Sequence, residues 1–328
     1  MKAIVYTEYG LPEVLQLKEI EKPVPKPNEV LVKVFAASLN DWDWGLLRGD
    51  SLVIRLMNGI GKPKKTILGS DIAGRIEAVG TNVTRFKIGD EVYGDLSGDW
   101  GGFAEYVCAR ENFLEKKPRD MSFEQAAAIP QAAMLAVQGL IDVGEIKNGQ
   151  RVLINGAGGG VGTFGVQIAK LYGAEVTGVD RSQKLDMMRS IGFDHVIDYT
   201  KEDFTRNEKQ YDLILDTKTN RSVFAYPRSL SPCGTYVTVG GSIPRLLQCF
   251  IFGWLVSLIY KKNIRIVALK QNKDLLYMND LFEKGKLKFV INGPFSLEEV
   301  PNAFRLFGEG MHKGKVVIRI VNNEKKNP

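Results

Sequence analysis

The residue types and spacing most able to do chemistry in this sequence form a glycine cluster. Val152–Asn155 reads as a strand running into Gly156-Ala157-Gly158-Gly159-Gly160-Val161-Gly162, followed by a helix apolar at Phe164, Val166, Ile168 and Ala169. Glycine is needed where backbone must turn tightly, approach a pyrophosphate without an intervening Cβ, and let a helix pack on its strand. The start of that helix then offers phosphates the N–H groups left unpaired by the helix and the positive end of its dipole. A second strand, Glu175–Val179, ends beside Asp180, eighteen residues beyond Gly162. Strand, loop, helix, strand and acid in this order predict a dinucleotide site built on Gly156, Gly159, Gly160, Val161 and Gly162.

The residues behind the second strand argue in two directions about the dinucleotide. Asp180 would accept hydrogen bonds from a ribose diol and repel a 2′-phosphate, favouring NAD(H). Arg181, Lys184 and Tyr199 would hold that phosphate and favour NADP(H). On the first view Asp180→Gly shifts preference toward NADPH; on the second NADPH already binds more tightly to the parent. Arg181 and Lys184 also read as solvated residues of a first helical turn.

Nucleophilic and metal chemistry find little support. The cysteines, Cys108, Cys233 and Cys249, form no CxxC, and neither His195 nor His312 has a second His or Cys at i+3 or i+4. The cysteines are expected to be small buried apolar side chains in a reducing compartment. No Ser-His-Asp or Cys-His pattern suggests a covalent intermediate, and Asp212 and Asp216, flanking a buried strand, read as structural. Acidic Glu8 follows Met1 too soon for the apolar core of a signal peptide, which predicts a cytoplasmic protein.

These groups must be positioned by a chain of 328 residues, 44% hydrophobic and 25% charged. Such a chain is neither disordered nor collagen-like, and its length predicts two domains. A net charge of +6 without an arginine-rich block reads as solvated surface and carries no nucleic-acid signal. From Arg151 strands and helices alternate, with strands at 152–155, 175–179, 195–198, 213–216, 236–239 and 265–268, and helices at 163–172, 183–191 and 221–230. The pattern predicts a doubly wound parallel sheet, hence an α/β fold. Upstream, Val30, Val32 and Val34 alternate with Leu31 and Lys33, and 72–79 is β-rich. Helix is scarce before residue 122, where Ser122 and Gln125 form a capping box, and a second helix starts after Pro130 and runs through Leu140. Helices at 274–284 and 300–309 and a last strand at 316–321 complete the pattern.

One segment stands apart. Leu246 to Tyr260 is fifteen residues without a charge, bounded by Arg245 and Lys261-Lys262. A spanning helix needs about 20 apolar residues. The run therefore reads either as a buried helix or subunit contact, or as an apolar surface that meets membrane lipid or a lipophilic substrate.

Motifs along nearly the whole chain carry a resemblance: Met1-Lys2-Ala3, Ala36-Ala37-Ser38-Leu39-Asn40 with Asp43, Leu68-Gly69-Ser70-Asp71-Ile72-Ala73-Gly74, Val79-Gly80, Phe86–Gly94, the glycine loop and Gly314-Lys315-Val316-Val317. The sequence is similar to the medium-chain dehydrogenase/reductase superfamily, and within it to the zinc-independent quinone oxidoreductase branch. The resemblance implies a GroES-like β-rich catalytic domain (1–116), an inserted Rossmann domain (117–270) and completion of the catalytic domain by 271–328. It implies a homodimer pairing the edge strand near 265–268. It also implies NADP- or NAD-dependent hydride transfer to a quinone or an α,β-unsaturated carbonyl. Zinc-dependent relatives place a Cys at the segment held here by Asn40-Asp41 and a His-Glu pair near Ser70-Asp71, so no metal is expected. By the same analogy Asn40 and Asp43 belong to the substrate cleft, Trp44 stands where a tyrosine is common, and Leu135 where a threonine is frequent. Gly240, Gly241 and Ser242 would line the nicotinamide ribose. Two other readings stay open: a cofactor-binding interaction or membrane-associated protein with little turnover, and a zinc-dependent alcohol dehydrogenase.

Overall fold

β-branched runs punctuated by glycine and proline open the chain, and strands dominate there. In the computed structural model, which describes residues 1–321, β1 (Lys2–Val5) pairs antiparallel with β2 (Gln16–Glu19). β3 (Glu29–Ser38) leads into two short helices, α1 (Asp41–Arg48) and α2 (Leu52–Asn58). Both occupy a stretch where helix is unexpected from the sequence. Each spans only about two turns, too few for a helical period to stand out, yet each buries an apolar face through Leu46, Leu47 and Ile54. β4 (Asp71–Val79), β5 (Glu91–Asp95), β6 (Tyr106–Arg110) and β7 (Glu115–Lys116) follow. α3 (Phe123–Ala128) carries the capping box: Gln125 N donates to Ser122 Oγ at 3.1 Å and Ser122 N to Gln125 Oε1 at 2.9 Å. α4 (Pro130–Val137) starts on Pro130 itself, because a first helical position needs no N–H. A π-helical stretch continues it over Gln138–Val143.

Strand and helix then alternate: β8 (Arg151–Asn155), α5 (Gly160–Leu171), β9 (Glu175–Asp180), α6 (Leu185–Ile191), β10 (His195–Asp198), β11 (Tyr211–Asp216), β12 (Leu230–Thr238), α7 (Ile243–Tyr260) and β13 (Asn263–Ile266). All pairings are parallel, in the order β10-β9-β8-β11-β12-β13. The chain order reverses between β8 and β11, which is where doubly wound sheets bind ligands at the carboxyl ends of their strands. The helix expected at 221–230 does not form; a single 3₁₀ turn, Tyr226–Ser229, stands there. Pro227 withholds an N–H, the Tyr226 ring is fixed against Tyr236 with centroids 4.0 Å apart, and Leu230 already begins β12.

The chain returns through α8 (Leu275–Glu283), β14 (Ile291–Ser296), α9 (Val300–Gly308) and β15 (Lys315–Arg319). The mixed sheet runs β14-β15-β3-β4-β5-β7, with β6 on β3. Two compact units result. The β-rich unit holds Met1–Gln131, Gln271–Gly285 and the chain from Ile291; the dinucleotide-type unit holds Ala132–Lys270 with Lys286–Val290. The first boundary lies after Gln131 rather than at 116/117. The reason is α3, which packs on β3, β4 and β15, with Ser38 Oγ donating to Ala127 O at 2.7 Å. Each unit has its own core, around Val32, Leu47, Phe103 and Phe304 in the first and Leu153, Ile214 and Tyr236 in the second.

Candidate functional site

The glycine loop is shaped by its own geometry. Gly156 has φ +79°, a left-handed conformation in which a side chain is strained, and a Cβ there would lie 2.1 Å from Thr217 Oγ1. The N–H groups of Gly156 and Ala157 both donate to Val179 O, at 3.0 and 3.1 Å, clamping the loop to the end of β9. A Cβ on Gly162 would lie 2.4 Å from Ala157 O, so the first turn of α5 packs directly on loop backbone. α5 begins after Gly159 with neither a capping side chain nor an acidic residue in its first turn. Its leading N–H groups are left for an anion.

Asp180 closes this cradle from below. One carboxylate oxygen accepts from Gly158 N at 2.9 Å, the other from Arg181 N at 2.9 Å, and Lys184 Nζ lies 3.4 Å away. Lys184 is buried rather than solvated, its pKa lowered by burial against the opposing pull of Asp180. Arg181 Nε donates to the hydroxyl of Tyr199, and that ring is exposed. Asp180 is thus neutralised and engaged with the loop, while Arg181 and Tyr199 form the outward pair. Gly240 and Gly241 follow β12, and Gly241 has φ +138° with a Cβ position 2.4 Å from Lys218 O. Asp216 is fully buried and accepts from Asn155 Nδ2, Lys218 N, Thr219 N and the Tyr236 hydroxyl, tying the carboxyl ends of β8, β11 and β12 together.

The β-rich unit gathers a second set. Asn40 ends the β3 segment and caps α1; its N–H donates to Asp43 Oδ2 at 2.9 Å, and Asp43 Oδ1 accepts from Gly69 N at 2.9 Å. Asn40 Nδ2 donates to Ser70 Oγ at 3.0 Å, and its Oδ1 accepts from Lys315 Nζ. Lys315 also pairs with Asp71 Oδ2 at 3.0 Å, and both are buried. Burial pushes the Asp43 carboxyl up to about 7 against its two N–H donors. Burial, reinforced by the charge of Asp71, pushes Asp95 up to about 6.

Trp44 belongs to the packing of its unit. Its ring lies 6.5 Å from that of Phe304, and a Cβ on Gly308 would strike it at 2.2 Å. Leu135 sits half-buried on α4. Of the three cysteines expected to be buried, Cys249 is; Cys108 on β6 is half-buried, and Cys233 is exposed because it holds a turn conformation (φ +60°) within the irregular start of β12. Asp71 and Lys315 stand within quoted motifs without reading as site residues. They are separated along the chain, and only the antiparallel pairing of β15 with β3 brings Lys315 to Asn40. The usable signal was a lysine opening the apolar run Val316-Val317-Ile318.

The donor set does not fit zinc. Asn40 and Ser70 offer an amide and a hydroxyl already bonded to one another, the Lys315 ammonium occupies the charge partner of Asp71, and among the described residues no three His, Cys, Asp or Glu converge. A structural or catalytic zinc requires three or four such ligands.

Residues 26–119 match the family described as alcohol dehydrogenase GroES-like domain, and residues 191–318 that described as zinc-binding dehydrogenase. The chain is 35% identical over 97% of its length to a 2-methylene-furan-3-one reductase of Solanum lycopersicum, covering 79% of that protein. It is 33% identical over 97% to an NADPH-dependent alkenal/one oxidoreductase, chloroplastic, of Arabidopsis thaliana, again covering 79%. The solved quinone oxidoreductase from Coxiella burnetii superposes with a TM-score of 0.87 at 30% identity, covering 98% of this chain and 99% of that one.

Proposed function

Since the chain belongs to the medium-chain dehydrogenase/reductase superfamily, in its quinone oxidoreductase-like branch, it is a nicotinamide-dependent oxidoreductase, and we propose that it reduces quinones or α,β-unsaturated carbonyls without zinc. What supports this reading is found in each unit by itself: in one an anion cradle at Gly156–Gly162, in the other a buried Asn40–Ser70–Lys315 set that offers hydrogen bonds and charge but no metal ligands. When bound, the nicotinamide supplies hydride to an electron-poor carbon. The chain's residues do the rest. Backbone N–H groups of the loop hold the pyrophosphate, and Arg181 with Tyr199 holds a 2′-phosphate, which makes NADPH the preferred form. Lys315 draws electron density from the Asn40 carboxamide, so the second Nδ2–H becomes a stronger donor to the oxygen on which negative charge develops. Asp43 fixes the Asn40 backbone and with it the direction of that donor.

The reading includes a homodimer through β13, which among the described residues has only β12 as a neighbour in its sheet, and peripheral contact of 246–260 with lipid. It also includes a reducing compartment, which the cysteine pattern supports. Loss of nicotinamide absorbance with a quinone and with a 2-alkenal tests the proposal, run on protein with and without added zinc. Turnover with at least one acceptor and indifference to zinc are expected; no turnover with either, or turnover only with zinc and a primary alcohol, would overturn it.

A further inference from the structure

The apolar run that stands apart in the sequence is a helix with one covered side. α7 spans 18 residues, about 27 Å. Cys249, Gly253 and Val256 are buried on β13, where a Cβ on Gly253 would meet Ile264 at 3.2 Å. The opposite stripe is Leu247, Phe250, Ile251, Trp254 and Leu258, spaced i, i+3, i+4, i+7 and i+11, with exposures of 52 to 76%. Phe252 extends it onto Phe224, with ring centroids 6.0 Å apart. Water disfavours a contiguous face of this kind, and monomeric proteins seldom leave one uncovered.

We propose that this face docks on the surface of an anionic lipid bilayer; the inference deepens the lipid contact suggested above and is independent of the hydride chemistry. Charge names the occupant. From Thr217 to Lys270 the sequence carries eight Lys or Arg and no Asp or Glu, more than the whole +6 excess of the chain. Arg221 and Arg265 are answered by Asp203 and Glu145 of the same unit. Arg228 and Lys261 are exposed, and Lys261 follows the end of α7 directly. An apolar stripe carrying a tryptophan, with cations at its flanks, matches the boundary between acyl chains and acidic headgroups. A second copy fits less well: antiparallel α7 helices about a two-fold axis would set Arg245 of one against Lys261 of the other with no acid between them. A spanning arrangement is incompatible with the face packed along β13.

Flotation of the full chain with vesicles tests this directly. Binding is expected to vesicles of phosphatidylcholine with phosphatidylglycerol, falling roughly tenfold on phosphatidylcholine alone or at high salt, where headgroup attraction is removed or screened. Phe250→Ser/Trp254→Ser/Leu258→Ser should abolish flotation while NADPH oxidation with a water-soluble acceptor persists. Arg228→Glu/Lys261→Glu leaves the stripe intact and should weaken flotation, which keeps the test sound where the triple variant misfolds. Absence of flotation in the parent overturns the proposal, as does flotation undiminished by both variants. A parent oligomer that the triple variant dissolves, without flotation of either, would assign the face to a subunit contact instead. Turnover is read separately, so failure of the enzymatic reading leaves this result standing.

Discussion

Asp95 is buried with one carboxylate oxygen bonded to Ser97 and the other, Oδ2, without a partner among the described residues. With its carboxyl held near 6, the folded state keeps a proton that the unfolded chain releases from about pH 4. The stability that the neutral form contributes is therefore present at low pH and lost as pH rises from about 4 to about 6, by about 1.4 kcal/mol per unit, and is flat above. Asp95→Asn removes the titration. Urea unfolding between these limits should show the parent losing ground to the variant by that slope, and parallel curves would refute the assignment. Cofactor choice also belongs to single residues. Arg181→Ala is expected to weaken NADPH roughly tenfold or more while changing NADH little, as befits loss of a charged phosphate contact, and titration calorimetry with both nucleotides decides it. Asp180 was legible as an acid at the right distance, but its bond to Gly158 was not. Because that carboxylate braces the loop and neutralises buried Lys184, Asp180→Gly should weaken both nucleotides rather than exchange one for the other.

At the scale of elements, the parallel sheet was readable because six strands and the α5 glycines impose strong local patterns. The polar set around Asn40 was only partly readable. Its members come from the start of α1, the start of β4 and the start of β15, and no local period encodes which strands pair across the sheet. Short α1 and α2 escaped for want of length, and the turn at Tyr226–Ser229 because ring stacking overrode an apparently helical composition. The glycine loop gives the sharpest test of an element. Gly162→Ala places a Cβ 2.4 to 2.6 Å from three backbone atoms of Ala157, so α5 must move off the loop. Nucleotide affinity is expected to fall roughly tenfold or more, with the unfolding of the β-rich unit unchanged; tight binding by the folded variant would show that α5 does not hold the pyrophosphate.

For the molecule as a whole, the chain's path matters as much as its sites. The β-rich unit is assembled from segments on both sides of the dinucleotide unit, and β15 lies inside its sheet, between β14 and β3. A fragment comprising residues 1–131 lacks that strand and the Lys315 partner of Asp71, leaving a buried carboxylate uncompensated. It is expected to show no cooperative unfolding by urea, and to recover it when 271–328 is supplied in trans. Meanwhile the dinucleotide unit closes its sheet with β13, long before β15 exists. During translation, at about 5–20 residues per second, the later-encoded unit can therefore fold first, while the strands encoded before it wait unpaired at the ribosome. Those waiting strands, β3 above all with its nearly continuous apolar sequence, are what chaperones would have to shield, so rare codons between β13 and β15 should raise aggregation more than the same codons within β8–β13.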